Sequence, residues 1–227
     1  MLSVTERSYI QKSLEQGLRL DARGPREFRA FVLHPDILEG CYGSCLLQSG
    51  GSQIVVGIKA EVSDSPCAVE VAGVESQRLL MQGIQSRDIA VDDHRWWRIY
   101  VDISTAKENL FLCSIALHTA LLFCHIPLLN TETDKVDSLV PLGFVSSLVF
   151  IVGWINDVVF FDVTDSEREC LAWTGAVSIC KGEITGMQTI TGKVPPASLA
   201  QVVSAVVEEE RTVMEVIRHQ AGQHLPG

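Results

Sequence analysis

Positive charge is scarce in this chain. Lys and Arg number 18 against 28 Asp and Glu, a formal charge of −10. A free-standing domain that grips nucleic acid by charge alone is usually basic, which disfavours that role for the chain by itself. A local basic patch, or a complex whose other chains supply the charge, stays open. Disorder is excluded as well, because 47% of the 227 residues are hydrophobic and only 20% are charged, enough apolar material for a sizeable core. No stretch rich in Pro, Ser or Gly divides the sequence, so a single domain over residues 1–227 is expected.

Several chemical signatures are missing. The cysteines are seven, an odd number, and none forms a CxxC pair. Cys113, Cys124 and Cys180 follow the apolar Leu112, Phe123 and Ile179, which reads as reduced, buried thiols in an intracellular protein. Residues 1–16 are polar and amphipathic, without the apolar core of a signal peptide. The apolar runs 110–129 and 140–161 are broken by His118, His125 and Pro127, and by Gly143, Ser146, Ser147, Gly153, Asn156 and Asp157. A buried helix and buried strands are expected there, and no membrane span. GxxxxGK[ST], GxGxxG and GxSxG are absent, which removes the usual phosphate loops and the nucleophile elbow. His118 and His125 read as core or interface residues on one face of an apolar helix, and no metal or cofactor is expected. The acidic pairs Asp92-Asp93, Asp162…Asp165 and Glu167…Glu169 read as exposed loop charge. Trp96-Trp97 reads as core at a strand entrance. Arg19, Arg23, Arg26 and Arg29 have only Asp21 and Glu27 close by in sequence. They either contact RNA or an acidic partner, or form local pairs.

The elements that are present alternate in runs. Ser3-x-x-Glu6 is a capping box for a helix over 3–16 that Gly17 ends. Strands are expected at 28–33, 43–48, 53–62 and 67–71, the middle two joined through Gly50-Gly51. A moderate helical pattern covers 74–89, a strand 97–103 and a strongly apolar helix 109–124. Strands at 145–155 and 158–163 flank Asn156-Asp157, and strands at 174–180 and 183–190 flank Lys181-Gly182. Pro195-Pro196 opens a long C-terminal helix, about 197–219. Its apolar side holds Leu199, Val202, Val203, Val206, Val213 and Ile217, and its polar side Glu208 to Arg211 and Arg218. This order favours an α+β fold with mixed sheets.

Several segments in order resemble the RNase PH family, in particular the non-catalytic ring subunits of the RNA exosome. Leu18-Arg19-Leu20-Asp21-Ala22-Arg23, continuing to Arg29, is similar to the family's opening Arg-x-Asp-Gly-Arg…Arg segment, with Ala22 in place of Gly. Gly43-Ser44, Val56-Gly57-Ile58-Lys59-Ala60-Glu61, Trp97-Arg98-Ile99-Tyr100-Val101-Asp102, Asn109-Leu110-Phe111 and Asp162-Val163-Thr164 resemble later segments. Together they cover about residues 5–218. The resemblance implies an RNase PH-like (ribosomal protein S5 domain 2-like) fold with mixed β-sheets, central apolar helices and a long C-terminal helix.

It also implies a place in a hetero-hexameric ring of related subunits, with RNA-binding cap subunits, an associated nuclease and single-stranded RNA as partners. Localisation in the nucleus, nucleolus and cytoplasm follows from it, as does a part in RNA processing, including that of rRNA, and in RNA degradation. Phosphorolytic members carry an Arg that holds phosphate where this chain has Phe111, and the acids around Asp162 match the inert subunits. No catalytic residue is therefore expected. Arg78, Arg87 and Arg98 are the candidate RNA contacts, since Arg78 and Arg87 fall in or just after the helix that lines the channel in similar proteins. A pairing of Arg87 with Asp88 or Asp92 is the plain alternative. An active phosphorolytic 3'-to-5' exoribonuclease and an unrelated α+β scaffold are the competing functional readings.

Overall fold

Three tight turns organise most of the strands. Gly50-Gly51, Asn156-Asp157 and Lys181-Gly182 all adopt positive φ (51° and 82°, 45° and 62°, 52° and 82°), as two-residue hairpin loops require. The computed structural model describes residues 2–64, 69–74, 77–81, 91–92, 94–107, 109–130, 133 and 135–222. In chain order the elements are α1 (Val4–Glu15), β1 (Val32–Pro35), β2 (Gly43–Ser49), β3 (Ser52–Ser63), β4 (Val69–Ala72), α2 (Gln77–Met81), β5 (Trp96–Thr105), α3 (Leu110–Leu122), β6 (His125–Asn130), β7 (Lys135–Pro141), β8 (Leu148–Ile155), β9 (Val158–Phe161), α4 (Asp165–Arg168), β10 (Trp173–Cys180), β11 (Glu183–Gly192) and α5 (Pro196–Gly222). They group into two compact units, one of residues 1–30 and 149–214, the other of 31–148 and 215–227.

The first unit carries a four-stranded sheet in the order β11-β10-β8-β9. β8 and β10 are almost wholly buried, which is why their sequences read as continuous apolar runs rather than alternating ones. Phe28, Phe150 and Phe161 pack ring on ring at centroid distances of 5.5 to 5.9 Å. Ser3 and Glu6 form the full capping box of α1. Thr164 and Glu167 do the same for the short α4, an element absent from the sequence reading.

The second unit is built on a mixed sheet in the order β1-β2-β3-β5-β4, antiparallel except for the parallel pair β4 and β5. A parallel neighbour needs a crossover, and α2 lies on that connection. Apolar α3 is buried at every position from Phe111 to Leu121 and packs on β1, β2 and β3. Gly43 makes that approach close. A Cβ there would stand 2.5 Å from the Ala120 carbonyl oxygen and 2.8 Å from Cys124, so only a residue without a side chain fits.

The structure departs from the sequence reading in several places. Residues 28–31 are not a strand, because the Arg29 amide donates to the Asp162 carboxylate at 2.9 Å and not to a neighbouring strand. The tail of the apolar run 110–129 leaves the helix and pairs as β6 with β7, so His118 and His125 do not share a helix face. Glu210 is not on the polar side of α5. It is 7% exposed and accepts the Gly182 amide at 2.8 Å. Asp162 and Glu167, at 4% and 3% exposure, are buried anchors rather than exposed loop charge.

Cys45, Cys113, Cys124 and Cys170 are buried, Cys41 and Cys180 half-buried, and all six are free thiols; Cys67 lies outside the described residues. Among the described residues no helix is long and apolar enough to cross a membrane.

Candidate functional site

The densest charge cluster of the first unit centres on Asp162, at the exit of β9. Asp162 sits at φ 49°, a left-handed conformation that a short polar residue tolerates. Its carboxylate accepts from Arg23 Nη1 at 2.8 Å, from the Arg29 amide at 2.9 Å and from Arg29 Nε at 2.7 Å, with Arg29 Nη2 on the other oxygen. Hydrogen bonding to Asp162 holds the Arg29 guanidinium above its ordinary range, against the opposing effect of partial burial. Glu167 holds Arg19 in a fork of two 2.8 Å bonds, with both side chains buried. The remaining Arg19 donors reach the carbonyls of Phe161 at 2.9 Å and Asp162 at 3.0 Å. Asp21 takes Arg23 Nε at 2.9 Å. Partial burial pushes the Asp21 carboxyl up, but the Arg23 bonds outweigh it and leave it below the ordinary value. Arg26 pairs with Glu208 at 2.6 Å.

The four arginines left open by the sequence are thus engaged in pairs within this unit, and Asp162 and Glu167 are spent on holding three of them. Every oxygen of both carboxylates is taken up by guanidinium or backbone donors of this unit. The distance along the chain, 133 residues from Arg29 to Asp162, hides this pairing from sequence reading. The Thr164-x-x-Glu167 capping box is the one local signal that Glu167 faces inward.

In the second unit, Phe111 occupies the first turn of α3 and is fully buried. Asn109 caps the helix, its side-chain oxygen accepting the Leu112 amide at 3.2 Å. The stretch that the sequence resemblance links to phosphate binding thus carries a fully buried aromatic ring at Phe111. Arg78 is exposed on α2. Arg98 on β5 is ion-paired with Glu70 and lies 5.8 Å from the Tyr100 ring centre. Arg87 and its alternative partner Asp88, with Glu108, lie outside the described residues; Asp92, the other alternative, binds Arg95 at 2.7 Å. Among the described residues no cluster of His, Cys, Asp and Glu could hold a metal ion. His118 Nδ1 bonds the Ser146 carbonyl at 3.2 Å. Burial pushes the imidazole below its ordinary value despite that bond, and Arg218 adds to the effect. Burial pushes the Cys45 and Cys124 thiols up to about 12, which leaves them unreactive.

No family model matches the chain. Among curated proteins it is similar to the exosome complex component Rrp42 of Archaeoglobus fulgidus, 38% identical over 56 residues, covering 25% of this chain and 22% of that protein. The exosome complex component rrp43 of Schizosaccharomyces pombe is 33% identical over 61 residues, covering 27% and 23%. These alignments take in less than a quarter of each relative. That of Rrp42 from Methanosarcina acetivorans extends over 91% of this chain and 90% of that protein, at 20% identity. Among solved structures, an archaeal exosome core superposes with a TM-score of 0.75 at 19% identity, covering 94% of this chain and 96% of that one. A chain of the Archaeoglobus fulgidus exosome with RNA bound to the active site gives 0.72 at 18% identity, covering 93% and 97%. Coverage this complete sets aside an α+β pattern shared by accident. The chain has the RNase PH-like fold of exosome subunits, and its sequence resembles the same proteins.

Proposed function

We propose that this chain is a structural, catalytically inactive RNase PH-like subunit of an exosome ring, where it supports 3'-to-5' RNA processing and degradation by holding neighbours in register around the RNA channel. The observation that carries the reading is Phe111. A ring buried in the first turn of α3 cannot neutralise phosphate or bind it with two parallel hydrogen bonds, as a guanidinium does. The engagement of Asp162 and Glu167 by Arg19, Arg23 and Arg29 supports it, because these carboxylates are committed to structure. The acidic surplus fits a subunit whose RNA-facing charge is supplied largely by other chains. Its partners are related RNase PH-like subunits in a hetero-hexameric ring, RNA-binding cap subunits, an associated nuclease and single-stranded RNA. Arg78, Arg87 and Arg98 are the proposed RNA contacts, Arg98 after exchanging Glu70 for a phosphate. Its locations are the nucleus, the nucleolus and the cytoplasm.

Affinity purification of the tagged chain from its source cell, with identification of the chains that accompany it, tests the assembly. Stoichiometric recovery of further RNase PH-like chains is expected. Recovery of the chain by itself, or with unrelated partners only, overturns the proposal.

A further inference from the structure

A cleft of about 480 Å³ opens in the second unit, lined by Asp36, Gly40, Cys41, Tyr42, Phe123, His125 and Leu139. None of these lining residues is among those that carry the proposed function, and the loop backbone around them is held firmly. The Asp36 amide donates to the Ser44 carbonyl at 2.8 Å, and the Leu38 amide to Ser44 Oγ at 3.0 Å. Tyr42 is clamped on both sides, its amide on the Ile58 carbonyl at 2.8 Å and its carbonyl under the His125 amide at 2.9 Å. A loop whose backbone is fixed at four points binds with a reduced ordering cost.

The chemistry of the lining is one-sided. It holds a carboxylate, two aromatic rings, an imidazole and a leucine, and among the described residues no Lys or Arg. His125 Nδ1 lies 3.0 Å from the Phe123 carbonyl. A carbonyl only accepts, so Nδ1 carries a proton and donates to it. Asp36 is exposed, and among the described residues no cation pairs with it. Aromatic rings and a carboxylate with no cationic partner disfavour phosphate and suit a planar cation. The cleft also continues onto an apolar surface. Leu139 belongs to β7, which is exposed over nearly its whole length, and Leu128, Val136 and Leu139 on the β6–β7 ribbon are 50%, 58% and 61% exposed. A free cation would leave that surface bare, whereas a polypeptide with apolar residues beside its cation would cover it.

We propose that this cleft takes an arginine side chain of a partner polypeptide, whose flanking apolar residues lie along the β6–β7 ribbon. The guanidinium is seated between Asp36 and the rings of Tyr42 and Phe123.

The test is fluorescence anisotropy of a labelled Leu-Arg-Leu-Gly-Leu peptide with the purified full chain. It is run against the same peptide with citrulline, the neutral isostere, with glutamate in place of Arg, and against free arginine as competitor. The Arg peptide is expected to bind at least about tenfold more tightly than the citrulline peptide, the scale of one partly desolvated ion pair with cation–π support. Asp36→Asn should erase that preference with an unchanged melting temperature, since Asp36 sits at φ 56° and Asn accepts that conformation. Leu139→Ser should weaken the Arg and citrulline peptides alike. Equal binding of the Arg and citrulline peptides, a preference that survives Asp36→Asn, tighter binding of the glutamate peptide, or competition by free arginine as strong as by the whole peptide would each overturn the proposal.

Discussion

Replacing Asp162 by Asn isolates the charge of the buried cluster. Asn matches Asp in shape and tolerates the left-handed backbone at φ 49°, so neither packing nor backbone strain changes. What changes is the acceptor set. The carboxylate accepts four bonds, one from Arg23 and three from Arg29, while the amide offers one oxygen and turns two donors toward the guanidinium groups. Three of the four bonds share one oxygen, so an amide oxygen there keeps them without the charge while the fourth is lost. The lost bond costs roughly 1.5–3 kcal/mol, and the missing charge on the other three adds to it. Arg29 is 40% exposed and recovers part of its hydration, whereas Arg23, at 10%, does not. The net loss is about 3 kcal/mol, the lower end of what breaking a buried pair costs. For a chain of this size that corresponds to a fall in Tm of roughly 6–12 °C. Urea unfolding followed by circular dichroism measures it, with Asp165→Asn as control, since Asp165 is 63% exposed and should move by less than about 0.5 kcal/mol. An Asp162→Asn chain within about 1 kcal/mol of the parent would refute the view that this carboxylate anchors the segment 19–29.

Three further outcomes are expected. Phe111→Ala should cost about 3–5 kcal/mol by calorimetry, because the ring is fully buried, whereas a ring of little structural weight would cost under 1. Ala22, at φ 62°, holds a left-handed position where the family segment has Gly. Ala22→Gly should therefore stabilise by about 0.5–1 kcal/mol in urea titration, the relief of strain exceeding the added freedom of the unfolded chain. His118 is kept neutral by burial, so the unfolded chain takes up the proton first as pH falls. Its contribution is complete above the ordinary His value of about 6.5 and declines below it; His118→Leu should flatten the stability profile between about pH 6.5 and 5, and an unchanged slope would contradict the assignment.

Local chemistry was legible in the sequence wherever the partners are near in the chain. The capping box of Ser3 and Glu6 is a contact across three residues, and each hairpin turn at Gly50, Asn156 and Lys181 is a demand for positive φ that two adjacent residues satisfy. The mixed α+β character followed from the same signals. The β6–β7 ribbon was not legible, because an apolar run that leaves a helix and enters a strand has no periodicity of its own to mark the change. Lys135 to Pro141, exposed on both faces, has no alternating pattern either.

Asp162 illustrates the other limit. An acid beside a turn reads as solvated, and only the fold brings Arg23 and Arg29 to it. Of the arginines named as RNA contacts, Arg98 was the hardest to judge from sequence, since Glu70 reaches it by a parallel strand pairing that has no local signature.

One assay tests the proposed catalytic silence directly. Purified chain that unfolds cooperatively is incubated with labelled single-stranded RNA, inorganic phosphate and magnesium, and the products are resolved by chromatography. No phosphate-dependent release of nucleoside diphosphates is expected from the parent chain. None is expected from Phe111→Arg either, because Asp162 and Glu167 stay committed to Arg19, Arg23 and Arg29. Processive release of nucleoside diphosphates by the parent chain, abolished by the well-folded Asp165→Asn variant, would contradict the account.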